Sequence, residues 1–145
     1  MNIEARLTRL RTLLAENIVD AVLITKEENV RYFSGFRGDS AVLLVTAERL
    51  ILVTDRRYTE QAAAEAPLYE VVEQRDGLYG KAAELAVDAG VVSLAFEGGA
   101  LVYIKVIWLR ERLGEISFDT PLNLDPLRQV KDADEVALIR RACAI

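Results

Sequence analysis

The spacing of apolar residues predicts helices and strands that alternate along the 145-residue chain. Near the N-terminus, apolar residues recur three or four positions apart, as on one face of a helix: Ile3, Leu7, Leu10 and Leu14. The same periodicity predicts helices over 3–17, 26–33, 57–66, 78–90, 100–114 and 132–145. Short runs rich in β-branched residues predict strands at 20–25, 41–46, 50–55, 69–74, 91–97 and 115–120. Residues 122–130 are interpreted as a connector.

The lengths of the connections predict how these strands pair. Only Ala47–Arg49 separate the strands at 41–46 and 50–55, and so short a link implies an antiparallel hairpin. The other strands are separated by helices, which favours parallel pairing. We therefore predict an α/β fold, with a mixed sheet of about six strands, one antiparallel hairpin and helices on both faces.

The helix over 100–114 differs from the others because it is apolar on more than one side. Such a helix is buried on several sides, either in a single core or between a core and a partner. The first interpretation is a central core helix. The second is an interface helix, with these candidate contact residues: Val102, Val106, Trp108 and Leu109.

The last helix has a capping residue at its start, Asp132 or Asp134, but no Gly, Asn or Pro near its end. Leu138, Ala142 and Ile145 continue the apolar period up to the last residue. We therefore expect this helix to lead into a further domain.

Composition excludes several classes of function. Lys and Arg number 18 against 23 Asp and Glu, and without a basic stripe the chain is poorly suited to nucleic acid. No apolar run approaches the ~20 residues that span a bilayer, so we expect no membrane association. The single cysteine, Cys143, excludes an intrachain disulfide and suits a cytoplasmic location.

The chain contains no histidine. This excludes Ser-His-Asp and Cys-His catalysis as well as zinc sites of the HExxH type within these residues. Chemistry within this chain would therefore need carboxylates, Lys, Tyr or a carboxylate-bound metal.

The segment "SGFRGDS" at 34–40 contains two glycines but matches neither GxGxxG nor the phosphate-binding P-loop. Gly35 and Gly38 supply backbone angles that let the chain turn into the next strand. The turn leaves Arg37, Asp39 and Ser40 free to face outward.

Two carboxylates stand at strand ends, and two interpretations remain open for them. Asp55 can cap the following helix while Tyr58 packs beside it, and Glu97 can belong to a strand-to-helix turn. Alternatively, Asp55 and Glu97 form a carboxylate pair for acid–base or metal chemistry. The second interpretation requires the two side chains within a few ångströms, together with a third acid.

Four segments, taken in order, resemble the amino-terminal domain of the creatinase/prolidase family, closest to Xaa-Pro aminopeptidases and dipeptidases. They are "NVRYFSGFRGDSAVLLV", "LILVTDRRYTEQA", "LAFEGG" and "LRQVKDADEVALIRRA". The residues that match the family pattern are Asn29, Tyr32, Ser34, Gly35, Phe36, Asp55, Arg57, Tyr58, Glu97, Gly98, Arg128, Lys131, Glu135 and Val136. At Asp132 the family often has Ser or Thr.

The resemblance implies a ribonuclease-H-like mixed sheet over residues 1–127. It also implies that 128–145 are a linker and the start of the first helix of a "pita-bread" metallopeptidase domain. In that domain two Asp, one His and two Glu would bind two divalent ions, Mn, Co or Zn, all beyond Ile145. The resemblance therefore implies no catalytic residue, metal or other cofactor in this chain. The parent enzyme would cleave peptides with proline at the second position.

The resemblance further implies assembly into homodimers or larger homo-oligomers, in which loops of this domain lean over a neighbouring active site. On this basis the candidates for substrate gating or subunit contact are Tyr32, Arg37, Asp39, Arg57 and Tyr58. Two alternatives remain: a stand-alone α/β binding or adaptor domain, and a small carboxylate-metal enzyme that uses Asp55 and Glu97.

Overall fold

A computed structural model describes residues 2–145, which form one six-stranded sheet with helices on both faces. The strands are β1 (Ala21–Ile24), β2 (Ala41–Thr46), β3 (Leu50–Thr54), β4 (Glu70–Glu73), β5 (Ser93–Glu97) and β6 (Ser117–Leu122). The helices are α1 (Ile3–Glu16), α2 (Glu27–Ser34), α3 (Thr59–Glu65), α4 (Leu78–Asp88), α5 (Tyr103–Leu113), α6 (Pro126–Gln129) and α7 (Ala133–Cys143). A 3₁₀ turn, Arg56–Tyr58, precedes α3.

The strand order is β4-β3-β2-β1-β5-β6, which confirms the predicted mixed α/β sheet. The expectation of a single antiparallel pair is wrong, because β2 is antiparallel to β1 as well as to β3. The eight-residue α2 is only about 12 Å long and is followed by a turn, so the chain re-enters the sheet at the edge where β1 ends. All strands except β2 therefore run the same way, and their C-terminal ends share one edge with the start of β2.

Two apolar layers lie on the two faces of the sheet, because successive side chains of a strand point to opposite faces. Val22 and Ile24 pack under α1, α2 and α3, whereas Ala21 and Leu23 pack under α4 and α5. The helices therefore cover both faces, as the sequence predicts.

Several element boundaries differ from the sequence prediction, and the strand expected at 115–120 lies two residues later, at Ser117–Leu122. The helix expected at 57–66 divides into the 3₁₀ turn and α3, and the helix expected at 100–114 begins only at Tyr103. The connector at 122–130 contains α6, which is too short to show a helical period and begins at Pro126. Asp132, rather than Asp134, is the N-cap of α7.

The candidate interface residues of α5 do not share one environment. Val106 and Leu109 are 7% and 0% exposed and belong to the core beneath α5, which corrects their placement as surface contacts. Trp108 is partly buried, and its ring stacks with the guanidinium of Arg112 at 3.8 Å. Val102 is exposed.

Candidate functional site

The loop Gly35–Ser40 and the 3₁₀ turn Arg56–Tyr58 meet at the sheet edge where β3 ends. The β2–β3 register places Ala41 opposite Thr54, so the segments that flank this pair lie side by side. Thr54 Oγ1 donates a hydrogen bond of 2.5 Å to the carbonyl of Ser40. The Tyr58 hydroxyl donates one of 2.6 Å to Oδ1 of Asp39.

Two glycines give the loop its shape. Gly35 ends α2 with a φ of 87°, and a Cβ there would lie 2.8 Å from the carbonyl oxygen of Glu65. A Cβ at Gly38 would collide with the ring of Phe36. That ring is fully buried and contacts Tyr58 edge-on, with the ring centroids 5.7 Å apart. The loop is therefore anchored from inside by an aromatic residue.

The anchored loop presents charged side chains to solvent. Arg37 and Asp39 are exposed, and the amide of Arg37 donates a 2.9 Å hydrogen bond to Oε1 of Glu65. This hydrogen bond is the main cause that lowers the pKa of Glu65. Sequence reasoning missed Glu65 because it lies 28 positions from Arg37 and belongs to no motif.

The 3₁₀ turn is held by Asp55, whose Oδ1 accepts hydrogen bonds of 3.0 Å from both the amide and Nε of Arg57. Nη2 of Arg57 donates to Oδ2 at 2.8 Å. This bidentate pairing lowers the pKa of Asp55 to about 2. The hydrogen bond to Asp39 is the main cause that raises the pKa of Tyr58. The capping role predicted for Asp55 is thus confirmed.

The structure brings four of the five gating candidates together: Arg37, Asp39, Arg57 and Tyr58. Tyr32 lies elsewhere, in the α1–α2–α6 contact, and is only 6% exposed. Its hydroxyl donates to the carbonyl of Leu127 at 3.1 Å and accepts from Nη2 of Arg9 at 2.8 Å. Tyr32 therefore connects helices and does not face outward with the loop.

Asp55 and Glu97 do not meet. They follow β3 and end β5, which are separated by β2 and β1, so three strand spacings of roughly 14 Å in total lie between them. Glu97 is 3% exposed and accepts hydrogen bonds from the amides of Thr25 and Lys26 at 2.7 and 2.9 Å, and from Asn29 Nδ2 at 2.5 Å. It therefore satisfies the two backbone amides that precede α2, whose cap residue, Lys26, makes no side-chain capping bond.

No group of three or more Cys, Asp or Glu side chains among residues 2–145 is arranged to hold a metal ion. The carboxylate-metal alternative therefore lacks the geometry that it requires. The exposed guanidinium groups and the Asp39 carboxylate can instead pair with polar or charged groups that approach this edge.

The fold and this polar surface define a mixed α/β domain with an exposed, internally anchored loop. Residues 6–130 match the family model described as the creatinase/prolidase N-terminal domain. The chain belongs to this family, whose domain is the amino-terminal part of Xaa-Pro peptidases.

Individual relatives agree with this assignment. The solved N-terminal domain of the cytoplasmic peptidase PepQ from Mycobacterium tuberculosis H37Rv is 37% identical, with a TM-score of 0.78 over 86% of this chain and 98% of that chain. The Xaa-Pro dipeptidase from Bacillus anthracis is 29% identical, with a TM-score of 0.90 over 97% of this chain and 39% of that chain. The peptidase YqhT of Bacillus subtilis (strain 168), described as uncharacterized, is 28% identical over 97% of this chain.

The chain spans 40% of the length of YqhT and 39% of the length of a putative Xaa-Pro aminopeptidase of Mycoplasma pneumoniae. Within residues 2–145, none of the helices is both long enough and apolar enough to cross a membrane.

Proposed function

We propose that this chain is the non-catalytic amino-terminal domain of a cytoplasmic Xaa-Pro metallopeptidase, either an aminopeptidase or a dipeptidase. The observation that supports this most strongly is the similarity to a solved amino-terminal domain of a peptidase, which the chain covers almost completely. Residues 1–127 are the domain proper, and 128–145 are the linker and the start of the next domain.

In the complete enzyme, the domain after Ile145 supplies the chemistry. Two divalent ions, Mn, Co or Zn, are held there by two Asp, one His and two Glu. Bound there, the ions would supply an activated water for attack on the carbonyl carbon of the bond before proline, together with Lewis acidity toward that carbonyl. The substrate is a peptide with proline at the second position.

The domain described here controls access to that site in a homodimer or larger homo-oligomer. Arg37 and Asp39 reach toward the active site of a neighbouring subunit, Tyr58 holds Asp39 by its hydrogen bond, and the exposed Arg57 adds a further charge beside them. Support comes from the exposed charges of the loop, its buried anchor Phe36, and the contact between Tyr58 and Asp39.

A second surface contributes to assembly at the start of α5. Val102, Tyr103 and Ile104 are 66%, 77% and 72% exposed, an unusual run of three consecutive apolar side chains at a surface. Trp108 lies one turn further along the same helix. Ile104→Asp in the complete protein is expected to shift sedimentation velocity toward smaller species, whereas an unchanged oligomer would remove α5 from the interface.

The function itself is tested by peptide hydrolysis. The purified chain and the complete protein are each assayed with an Xaa-Pro dipeptide and an Xaa-Pro-Xaa tripeptide in the presence of Mn²⁺ or Co²⁺. We expect proline-directed turnover from the complete protein and none from the chain of residues 1–145. Turnover by residues 1–145 would contradict the proposal, and so would a complete protein without turnover.

A further inference from the structure

Arg6 is a buried cation that joins α1 to the beginning of α7. Arg6 is only 3% exposed, and all three nitrogen atoms of its guanidinium donate hydrogen bonds. Nε and Nη2 donate to Oδ2 of Asp132 at 3.0 and 2.8 Å, and Nη1 donates to the carbonyl of Tyr32 at 2.9 Å. The guanidinium also lies 4.0 Å from the centre of the Tyr32 ring. A buried charge is strongly destabilising without such partners, so the contacts explain why Arg6 can be buried.

Asp132 serves two elements with its two carboxylate oxygens. Oδ1 accepts a 2.9 Å hydrogen bond from the amide of Glu135, and Glu135 Oε2 accepts one of 3.0 Å from the amide of Asp132. This reciprocal pair is a capping box that begins α7. The other oxygen, Oδ2, is the one that pairs with Arg6. A serine could perform the capping role, but it could not form the ion pair.

The rest of α7 gains little from packing on the domain. Every residue from Ala137 to Cys143 is exposed, and none of the helix residues is buried. By contrast, α6 is held separately, through the ion pair of Lys26 with Asp125 at 2.8 Å and the hydrogen bond of Tyr32 to Leu127. Between α6 and α7, Val130 has an extended backbone with φ −89° and ψ 109°. The helix is thus attached at its first turn and preceded by a non-helical joint.

The geometry points to a conformational lock in which Arg6 and Asp132 fix the direction of α7 relative to α1. When the pair is broken, α7 remains helical and moves about the joint at Val130–Lys131. This role goes beyond the proposed function and does not depend on it. In a protein that continues after α7, the lock sets the orientation of the next domain.

The chain contains one tryptophan and one cysteine, which together report the position of α7. Trp108 lies on α5, and the exposed Cys143 ends α7. An acceptor dye on Cys143 and time-resolved decay of Trp108 emission give the distribution of distances between the two sites. Dye anisotropy gives the mobility of the helix.

Two variants break the lock from opposite sides. Asp132→Ser keeps a capping hydroxyl and removes the carboxylate that is hydrogen-bonded to Arg6, leaving Oε1 of Glu135 at 3.7 Å from Nη2, and Arg6→Met removes the cation. The matched control is Arg49→Met, which breaks the ion pair of Arg49 with Glu70 at 2.8 Å in another part of the sheet. Circular dichroism of each variant reports whether the helices are retained.

We expect a narrow distance distribution in the unmodified chain and in Arg49→Met. In Asp132→Ser the distribution is expected to shift and broaden, with faster dye motion and unchanged helicity. Arg6→Met is expected to show the same shift and broadening. If Arg6→Met does not fold, the distance distribution of Asp132→Ser decides whether the lock exists. An unchanged distribution in Asp132→Ser would overturn the lock, and so would loss of helicity there, because the lock acts on orientation and not on helix formation.

Discussion

The hydroxyl of Tyr58 lies 2.6 Å from Oδ1 of Asp39, and this hydrogen bond joins the turn after β3 to the loop before β2. The two residues are 19 positions apart, and the β2–β3 hairpin brings them together. The contact places an exposed carboxylate at a defined position on the sheet edge. It is the most direct link between the anchored part of the surface and its exposed charges.

Tyr58→Phe removes this hydrogen bond while keeping the aromatic contact with Phe36. We expect faster amide hydrogen exchange at Phe36 and Arg37, whose amides donate to Ser34 Oγ and Glu65 Oε1, and little change in global stability, because the loop loses one tether and the core is untouched. Exchange measured by mass spectrometry checks this. Unchanged protection of the loop would show that Tyr58 does not hold Asp39.

Arg57→Met is expected to raise the pKa of Asp55 from about 2 toward its ordinary 3.8, since pairing with Arg57 is the main cause of the low value. A lowered carboxyl pKa stabilises the fold above the unfolded value of 3.8, and this contribution is lost as the pH falls toward 2. An NMR titration of the Asp55 carboxyl measures both midpoints. A midpoint that stays near 2 in the variant would assign the shift to another group.

Gly98→Ala and Gly99→Ala form a matched pair of neighbouring substitutions. A Cβ on Gly98 would lie 2.8 Å from Cβ of Pro121 in β6, whereas a Cβ on Gly99 meets nothing within 4 Å. We expect Gly98→Ala to lower the free energy of unfolding by about 1–3 kcal/mol through overpacking, and Gly99→Ala to change it little. Urea denaturation compares the two, and equal stabilities would mean that β6 yields to the new methyl group.

Glu97→Gln replaces a buried carboxylate whose Oε1 accepts from two backbone amides and whose Oε2 accepts from Asn29 Nδ2, so the new NH₂ group must face at least one donor. The loss is expected to be about 1–3 kcal/mol in the free energy of unfolding, because buried donors are left without an acceptor. The control is Glu73→Gln, an exposed residue at the end of β4. If both variants unfolded alike, Glu97 would not be needed at the start of α2.

The order of elements could be predicted from the sequence because apolar period and turn residues are local signals. The pairing of β1 with β2 could not, because it depends on where the short α2 returns the chain to the sheet. The exposure of Arg37 and Asp39 was expected from the glycine spacing, but the hydrogen bond of Tyr58 to Asp39 was not, because the hairpin brings the two together from 19 positions apart. Tyr32 was misplaced because its helical position gave no indication that Arg6, Arg9 and Leu127 surround it. Val106 and Leu109 are buried because they lie on the face of α5 that packs on the sheet. Since α5 is apolar on more than one side, periodicity alone could not tell which face that would be.

The claim that the Gly35–Ser40 loop serves an active site is tested most directly by steady-state kinetics of the complete protein on an Xaa-Pro peptide. Arg37→Ala and Asp39→Ala are compared with Arg49→Ala and Asp88→Ala, whose side chains lie at the opposite edge of the sheet. We predict that each loop variant lowers kcat/KM by roughly tenfold or more, about 1.4 kcal/mol of transition-state stabilisation, while both controls match the unmodified enzyme. Loop variants with the same kcat/KM as the unmodified enzyme would contradict the claim.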